Sequence, residues 1–486
     1  MQTLTRRETL ALLLAAPAAV RSLGEGSTEW VTLFDGKSLT GWKASGSPDA
    51  SKVDNGEIAV RGSARMLYTG PTLDADFKNF EFSADAKLQP GARSGICFHA
   101  NNHSTTEFAV MLANNWRAPD GMIGRTHTGS LIGFRNVYKQ LVPDDEWFRI
   151  AIEVRQKQVQ VRLNDMLVVD YVEPDQPFQV NPDTRRVLSH GTFAIQAYGA
   201  ENAAFFRDIR VHPSSDNVNQ FSDERPQVDE VYREIIRLGA EDYPVVDYHV
   251  HLKGGLTLEQ TLANSRRLGI GYGIAINCGL GFPVHDDASV REYLNSMKNQ
   301  PCYVALQGEG REWPTLVSPE SVAQFDYVFT DAMTFRDDTG KRMHIWIPEE
   351  IGVIGDSQAF MEMYVKRIEG VMREPIDIYA NATYLPDQIA DDYNALWTPE
   401  RMQRVIDAAL KNDVAIEINN RRRIPSPAFI KRAKAAGCKF SFGTNNAEAE
   451  LGRLEYPIQM VRECGLAWQD IFVPRPDGQK PIQLRK

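Results

Sequence analysis

The stretch VVDYHVHLKGG, residues 245–255, ends a short apolar run with two histidines one residue apart. Side chains two positions apart on a strand point to the same side, so the imidazoles of His249 and His251 can face one ligand. Neutral imidazole combined with a carboxylate is a good ligand set for zinc, manganese or iron. A strand that simply ends in two hydrogen-bonded histidines has the same pattern, so the interpretation depends on the residues that the fold brings beside them.

The chain around this stretch, residues 242–486, alternates short apolar runs with amphipathic segments. The apolar runs predict seven strands, at residues 245–246, 274–276, 303–306, 327–329, 376–379, 414–418 and 440–442. The spacing of apolar residues predicts helices between them, as at 258–268, 399–411 and 427–436. This alternation predicts an α/β fold, here a parallel (β/α) barrel.

Every predicted strand of this barrel ends on a polar side chain. In chain order the strand ends carry His249 and His251, Asn277, Glu309, Asp331, Asn381, Glu417 with Asn419, and Asn445 with Asn446. Because the carboxyl ends of barrel strands converge on one mouth, where barrel enzymes place their active sites, we expect these side chains to meet. The sequence therefore predicts one metal site at His249, His251 and Glu309, with Asp331 or Glu417 as the catalytic base.

Further polar residues flank this predicted mouth. The candidates for substrate binding are Lys253, Asn277, Arg311, His344 and Asn381. Lys253 and Arg311 adjoin the metal candidates and could hold substrate oxygens, although solvated charges would look the same. His344 could reach the mouth from a loop, or could be a packing residue.

The first half of the chain has a different rhythm. Residues 80–86, 148–154 and 159–163 alternate apolar and polar side chains, and Asn164-Asp165 interrupts them like a hairpin turn. Such runs without helices between them predict an antiparallel β-sandwich over residues 28–213. Residues 214–241 form a predicted linker, in which apolar spacing indicates a helix over 227–238 that Gly239 would end.

The N-terminus, residues 1–27, has the features of an export signal. Arg6 and Arg7 precede an apolar run at 11–20, and Ala16-Pro17-Ala18 resembles a cleavage site. The twin arginines favour the twin-arginine route, and the Sec route is the alternative. We therefore predict a periplasmic or extracellular protein.

The composition restricts the class of protein. A chain of 486 residues with 43% hydrophobic and 24% charged residues is typical of a soluble multi-domain protein. A net charge of −10 argues against nucleic-acid binding, and no apolar stretch beyond the signal is long enough for a transmembrane span. The five cysteines are scattered without a CxxC pair, which predicts buried thiols.

Several short motifs in residues 28–213 match a known family. They are LFDGKSLTGW at 33–42, RSGI at 93–96, EW at 146–147 and FRDI at 206–209. This half resembles the 3-keto-disaccharide hydrolase domain, which implies a concanavalin-like jelly roll and a keto-sugar substrate. The family places a Glu-x-Gln-x-x-Asp pattern on a central strand, where this chain has Ala109, Met111 and Asn114. The half could therefore either catalyse or only hold carbohydrate.

Residues 242–486 resemble the polymerase and histidinol phosphatase (PHP) superfamily, which has a distorted seven-stranded barrel. The matching motifs are DYHVH at 247–251, GE at 308–309, IEIN at 416–419 and FGTN at 442–445. The resemblance implies that His249, His251 and Glu309 hold a metal, with Asn445 at the position of the family's late aspartate. Asn277-Cys278, Asp331 and Asn381 replace the family's other ligands, so we expect one divalent ion (Zn, Mn or Fe) and no phosphatase activity.

Together these features predict an exported carbohydrate-active hydrolase or lyase. A 3-keto sugar has an acidic neighbouring C–H bond, so metal-assisted elimination followed by hydration would hydrolyse a 3-keto-glycoside. One alternative is a non-catalytic carbohydrate-binding protein with a decayed barrel. The other is a metal-dependent hydrolase of a different ester or amide.

Overall fold

The computed structural model describes residues 29–485, except 102–105, 116–125, 182, 184–185, 242 and 337–340, and the side chains of Pro48 and Arg336. The predicted export signal therefore lies outside the described residues. No described helix is long and apolar enough to cross a bilayer. All five cysteines are buried and free of disulfide bonds, as predicted.

The first half is an antiparallel β-sandwich, as predicted. Its strands are β1 (Val31–Thr32), β2 (Trp42–Ser45), β3 (Ser51–Asp54), β4 (Glu57–Val60), β5 (Arg65–Tyr68), β6 (Phe80–Leu88), β7 (Arg93–Ala100), β8 (Phe108–Ala113), β9 (Phe148–Arg155), β10 (Gln158–Leu163), β11 (Met166–Val172), β12 (Thr192–Ala197) and β13 (Ala204–Pro213). One sheet has the order β11-β10-β9-β6-β13-β4-β3, with β1 paired to β13, and the other has the order β2-β5-β12-β7-β8.

The alternating pattern explains the core between these sheets. Phe80 and Phe82 leave β6 on one side, and their rings lie 4.8 and 4.9 Å from the ring of Phe193 in the facing sheet. Asn164 and Asp165, between β10 and β11, have φ of 45° and 69°. Two adjacent residues with positive φ form the tight turn that suits a hairpin, which is why this dipeptide was a usable signal.

The second half contains a closed barrel of seven strands in the order β14-β15-β16-β17-β20-β21-β22, and its strand pairs are parallel. The strands of this half are β14 (Val246–Val250), β15 (Gly271–Cys278), β16 (Tyr303–Gly308), β17 (Tyr327–Thr330), β18 (Thr334–Arg336), β19 (Arg342–His344), β20 (Ile378–Tyr379), β21 (Ala415–Asn419) and β22 (Phe440–Gly443). Strands β18 and β19 form a separate hairpin. The seven-stranded barrel is confirmed.

Helices lie before the first barrel strand, in the connections between the strands and after the last strand. They are α1 (Glu230–Ala240), α2 (Leu258–Leu268), α3 (Asp287–Ser296), α4 (Trp313–Leu316), α5 (Pro319–Val322), α6 (Pro348–Ile351), α7 (Ser357–Val371), α8 (Tyr393–Leu396), α9 (Pro399–Lys411), α10 (Pro427–Ala436), α11 (Glu455–Cys464) and α12 (Pro481–Leu484). The predicted bounds of α2, α9 and α10 are confirmed. Capping explains this: the side chains of Thr257, Thr398 and Ser426 each accept a backbone N–H of the first turn.

The linker helix differs from its prediction at both ends. Helix α1 begins at Glu230, after the capping residue Asp229, and continues through Gly239 to Ala240. Gly239 is inside the helix because the sandwich approaches it closely: Asn136 Nδ2 donates to its carbonyl at 2.8 Å, and a Cβ there would lie 3.1 Å from the same nitrogen.

A loop of the sandwich docks against the amino ends of the barrel strands. Tyr303 OH donates to Tyr138 O at 2.5 Å, at the start of β16. Lys139 Nζ contacts Cys302 O and the carboxylate of Asp326, which precede β16 and β17. Because these contacts lie at the amino ends of the strands, the docked loop is at the end of the barrel opposite to the mouth.

Candidate functional site

His249 and His251 lie inside the barrel, 1% and 2% exposed, with ring centroids 5.2 Å apart. Nδ1 of His251 lies 3.1 Å from Ala275 O, which can only accept, so this nitrogen carries the proton. Nδ1 of His249 lies 2.5 Å from Glu417 Oε1. Burial alone would raise the pKa of Glu417. The pKa is nevertheless lowered, because His249, the backbone N–H of Asn381 and the side chain of Asn419 donate hydrogen bonds to this carboxylate. The carboxylate therefore accepts the Nδ1 proton of His249.

In a neutral imidazole, a proton on Nδ1 leaves the lone pair on Nε2. Both Nε2 atoms are buried and have no hydrogen-bond partner among the described residues. Metal-binding histidines characteristically donate the other ring N–H to a carboxylate or a backbone carbonyl, as both rings do here. Burial lowers the pKa of His251 well below its usual value, which keeps this ring neutral. The two rings therefore fit a divalent cation.

The four predicted metal ligands do not form a ready-made cluster. The described residues contain no group of three or more His, Cys, Asp or Glu side chains arranged to hold a metal. Glu309 Oε1 accepts from Asn277 Nδ2 at 2.7 Å, and its Oε2 accepts from Thr334 Oγ1 at 3.4 Å. The amide nitrogen of Asn445 donates to Asn381 Oδ1 at 2.9 Å. Metal binding by Glu309 and Asn445 stays a prediction.

Glu309 and Asp331 are buried carboxyl groups that follow the paired strands β16 and β17. Burial raises the pKa of Glu309 to about 7, and the charge of Asp331 adds to the effect. Burial also raises the pKa of Asp331. Asp331 Oδ1 accepts from Met333 N at 2.9 Å, and Oδ2 accepts from Asn381 Nδ2 at 2.7 Å. Two buried carboxyls that resist ionising together can hold one proton between them.

The predicted base Glu417 holds its neighbours through hydrogen bonds. Its Oε1 is taken by His249, and its Oε2 accepts from Asn381 N at 2.7 Å and Asn419 Nδ2 at 3.1 Å. With both oxygens used and the pKa lowered, Glu417 is a poor proton acceptor. These contacts orient His249, and the role of Glu417 as a catalytic base stays a prediction.

Two predicted substrate-binding residues are amides that hold the carboxyl pair in place. Asn277 donates to Glu309, and Asn381 donates to Asp331. Asn381 has a φ of 49°, a conformation that asparagine tolerates better than most residues. Both side chains therefore line the predicted mouth with their amide groups already engaged.

The two cationic residues predicted to bind substrate, Arg311 and Lys253, have different surroundings. Arg311 is paired with Glu374 at 2.6 Å and also donates to Thr330 Oγ1 and Asp331 O, so its guanidinium is bound within the barrel wall. Substrate binding by Arg311 stays a prediction. Lys253 is exposed, and the structure gives its Nζ no partner among the described residues. Burial lowers the pKa of Lys253. The charge of Glu309 raises it and the charge of Arg421 lowers it, so the pKa is lowered overall.

His344 lies in the hairpin beside the carboxyl pair. It is the cross-strand partner of Thr334, whose hydroxyl contacts Glu309. Directly opposite residues of an antiparallel pair share a face, so His344 lies on the same side as Thr334. Its Nδ1 is 2.7 Å from Glu350 Oε2, and its ring centroid is 4.7 Å from that of the partly exposed Trp346. Sequence reasoning missed Glu350 and Thr334, which carry no motif.

The open face of the smaller sandwich sheet lacks the family's acidic pattern. Ala109 and Met111, where the family has Glu and Gln, are buried. Glu107, two residues earlier on the chain, forms a two-pronged ion pair with Arg65 at 2.8 and 2.5 Å. Arg65 Nη1 also donates to Gln196 Oε1 at 2.6 Å. The carboxylate of Glu107 is thus already paired with an arginine.

Comparisons with known proteins concern the sandwich. Residues 29–212 match the family model of the 3-keto-alpha-glucoside-1,2-lyase-like domain. A curated relative from Bacteroides thetaiotaomicron, named 3-keto-disaccharide hydrolase, is 26% identical over 174 residues, covering 29% of this chain and 58% of the relative. The chain thus spans less than two thirds of that relative. Residues 29–212 are therefore similar to this domain, whereas the PHP resemblance of residues 242–486 stays a prediction.

Solved structures with partial likeness also cover only part of the chain. A Bacillus licheniformis β-glucanase is 8% identical and covers 39% of this chain and 99% of its own, with a TM-score of 0.27. A carbohydrate-binding module from Bacillus subtilis is 14% identical and covers 35% of this chain and 93% of its own, with a TM-score of 0.24. Likenesses of this size support no conclusion about activity.

Proposed function

We propose that this chain is an exported hydrolase or lyase that acts on 3-keto-glycosides by elimination and hydration at the barrel mouth. The domain match of residues 29–212 supports the keto-sugar substrate class. The observation that carries the chemistry is the buried carboxyl pair Glu309 and Asp331 at adjacent strand ends. Such a pair provides a proton acceptor and a proton donor within one site.

The proposed reaction uses the two carboxyls in turn. The ketone at C3 acidifies the hydrogen on C2, and Asp331 removes it to give an enolate. The enolate collapses to a C1–C2 double bond as the bond from C1 to the glycosidic oxygen breaks, and protonated Glu309 gives its proton to the leaving oxygen. Water then adds to C1, giving its proton to Glu309, while Asp331 returns a proton to C2. The net change is hydrolysis.

His249 and His251 are the residues that would hold a divalent ion beside this pair. When bound there, such an ion supplies a Lewis acid for the ketone oxygen. Glu417 fixes the orientation of His249, and Ala275 O fixes that of His251. Lys253, whose Nζ has no partner among the described residues, is available to a substrate hydroxyl at the rim.

A second candidate function is carbohydrate binding without catalysis. It is favoured by Ala109 and Met111, which stand where the sandwich family has polar residues, and by the Arg65–Glu107 pair, which leaves Glu107 engaged. On this alternative the sandwich holds a glycan and the barrel is inactive.

The deciding experiment is an assay of the purified full chain on a chromogenic 3-keto-glucoside in deuterium oxide. We expect 3-keto-glucose with deuterium at C2, and no turnover of the glucoside that lacks the keto group. The variant Asp331→Asn should reduce turnover about 100-fold or more, while Asp387→Asn, at an exposed aspartate, should not. Binding of the keto-glucoside without turnover would favour the second candidate instead.

Export is tested separately by cell fractionation. We expect the full chain in the periplasmic or extracellular fraction, and a variant with Arg6→Lys and Arg7→Lys to stay in the cytoplasm if the twin-arginine route is used. Export that is unaffected by the double substitution would indicate the Sec route. Retention of the unaltered chain in the cytoplasm would contradict the localisation.

A further inference from the structure

Gln307 lies on strand β16, two residues before Glu309, and is 5% exposed. Side chains two positions apart on a strand point to the same side. Neither Gln307 Oε1 nor His251 Nε2 has a hydrogen-bond partner among the described residues, although both atoms are buried.

The third buried acceptor, His249 Nε2, belongs to the same part of the interior. Gln307 is the register partner of Phe329 on the neighbouring strand, so the two side chains share a face. The ring of His249 lies 4.5 Å from the ring of Phe329. His249, His251 and Gln307 thus surround one region of the barrel interior, with three lone-pair atoms that receive no proton from the described residues.

We propose that His249, His251 and Gln307 form a divalent cation site, in which the amide oxygen of Gln307 takes the place predicted for Glu309. Glu309 and Asn445 are already held by other contacts, because Glu309 accepts from Asn277 and the Asn445 amide donates to Asn381. A cation satisfies three acceptors that would otherwise remain buried and unpaired, at a cost of about 1–3 kcal/mol each.

The ligand chemistry restricts the ion. Two imidazoles with one amide oxygen form a neutral set of nitrogen and oxygen ligands, which suits zinc, iron or cobalt better than calcium or magnesium. The site holds no cysteine. The neutral ligands leave the full charge of the ion facing the carboxyl pair above it, with Glu417 behind His249 as the nearest orienting anion.

A different orientation of the Gln307 amide would leave fewer buried acceptors without a hydrogen-bond partner. Rotating the Gln307 amide by half a turn places its NH2 against His251 Nε2, so that the amide becomes a donor. His249 Nε2 would still be unpaired. The rotated amide requires no ion and makes Gln307 a packing residue, whereas the proposed site makes it a ligand. A measurement of ion binding therefore distinguishes the two arrangements.

The test uses the full chain after chelation and dialysis, titrated with Zn²⁺ or Co²⁺. We expect about one ion per chain by elemental analysis and visible absorption from bound Co²⁺. Gln307→Leu should weaken ion binding at least 10-fold, whereas Gln307→Glu, which keeps an oxygen at the same place, should retain it. Gln403→Leu, on the exterior helix α9, is the matched control and should bind as the unaltered chain does.

Two results would overturn the site: no stoichiometric ion in the unaltered chain, or equal ion affinity in Gln307→Leu. Circular dichroism and retained ion binding by Gln307→Glu exclude general misfolding as the reason for a loss. The site deepens the proposed function, and it is tested without a sugar. A chain that binds no ion but turns over 3-keto-glucosides would refute the site and leave the proposed reaction standing, whereas ion binding without turnover would do the reverse.

Discussion

The carboxylate of Glu417 lies 2.5 Å from Nδ1 of His249, although the two residues belong to the sixth and first strands of the barrel. Gly443, on the strand between them, makes this contact possible. A Cβ at residue 443 would overlap Glu417 Oε1 and lie 2.8 Å from His249 Cβ. The orientation of the first histidine therefore depends on a glycine nearly two hundred residues away.

Gly443→Ala should separate this pair. The new methyl group has no space, so we expect the free energy of unfolding to fall by about 1–3 kcal/mol and turnover of 3-keto-glucosides to fall with it. Gly370→Ala is the control, because a Cβ there meets nothing within 4 Å and the residue lies in helix α7. The control should be neutral or more stable by about 0.5–1 kcal/mol. Urea unfolding of both variants measures the difference, and equal stabilities would contradict the crowding.

Glu417→Gln keeps the shape of the side chain but changes its hydrogen bonding. Its NH2 group would face either the His249 N–H or the backbone N–H of Asn381, both of which are donors. We expect a loss of about 1.5–3 kcal/mol of stability and a 10- to 100-fold loss of affinity for Zn²⁺. Glu463→Gln changes an exposed glutamate and should alter neither quantity. Unchanged metal affinity in Glu417→Gln would refute the orienting role.

Arg135 connects the sandwich to the barrel, and Arg135→Lys should weaken that connection. Its guanidinium is 3% exposed and donates to Arg266 O at 2.7 Å and Arg267 O at 2.6 Å, in the last turn of α2. Lysine cannot reach both carbonyls with one nitrogen. We expect a loss of about 2–4 kcal/mol and two separate unfolding transitions in calorimetry. The exposed Arg432→Lys should keep the profile of the unaltered chain, and a single unshifted transition in Arg135→Lys would show that the halves are coupled by other contacts.

The parts of the fold with local signals could be predicted from the sequence. Helices α2, α9 and α10 follow from caps and apolar spacing within one segment. Helix α1 was misjudged at Gly239 because its continuation depends on a contact with Asn136, one hundred residues earlier. The docking of Tyr138 at the amino ends of the strands is likewise a tertiary contact without a local pattern.

The same distinction applies to the site. Strand ends predicted which polar residues gather at the mouth, because barrel topology fixes where a strand points. The positions of the strand ends could not predict which side-chain atoms already have hydrogen-bond or ion-pair partners. Arg311 is taken by Glu374, which lies in another connection, and Glu417 is saturated by three donors. Gln307 was not predicted as a site residue, because it lies within strand β16 and not at its polar end.

Trp346 should act on substrate binding and leave the chemical step unchanged. It is 39% exposed, and its ring lies against His344, the residue opposite Thr334 in the hairpin beside Glu309. An exposed indole at a sugar site stacks on the apolar face of a pyranose ring. We expect Trp346→Ala to raise KM for 3-keto-glucosides about 5- to 10-fold with little change in kcat, since about 1–1.4 kcal/mol of stacking would be lost equally from bound substrate and transition state. Trp30, 40% exposed on the sandwich, is the matched control, and Trp30→Ala should leave both constants unchanged. A fall in kcat at constant KM for Trp346→Ala would place the indole in the reaction itself and contradict a role limited to binding.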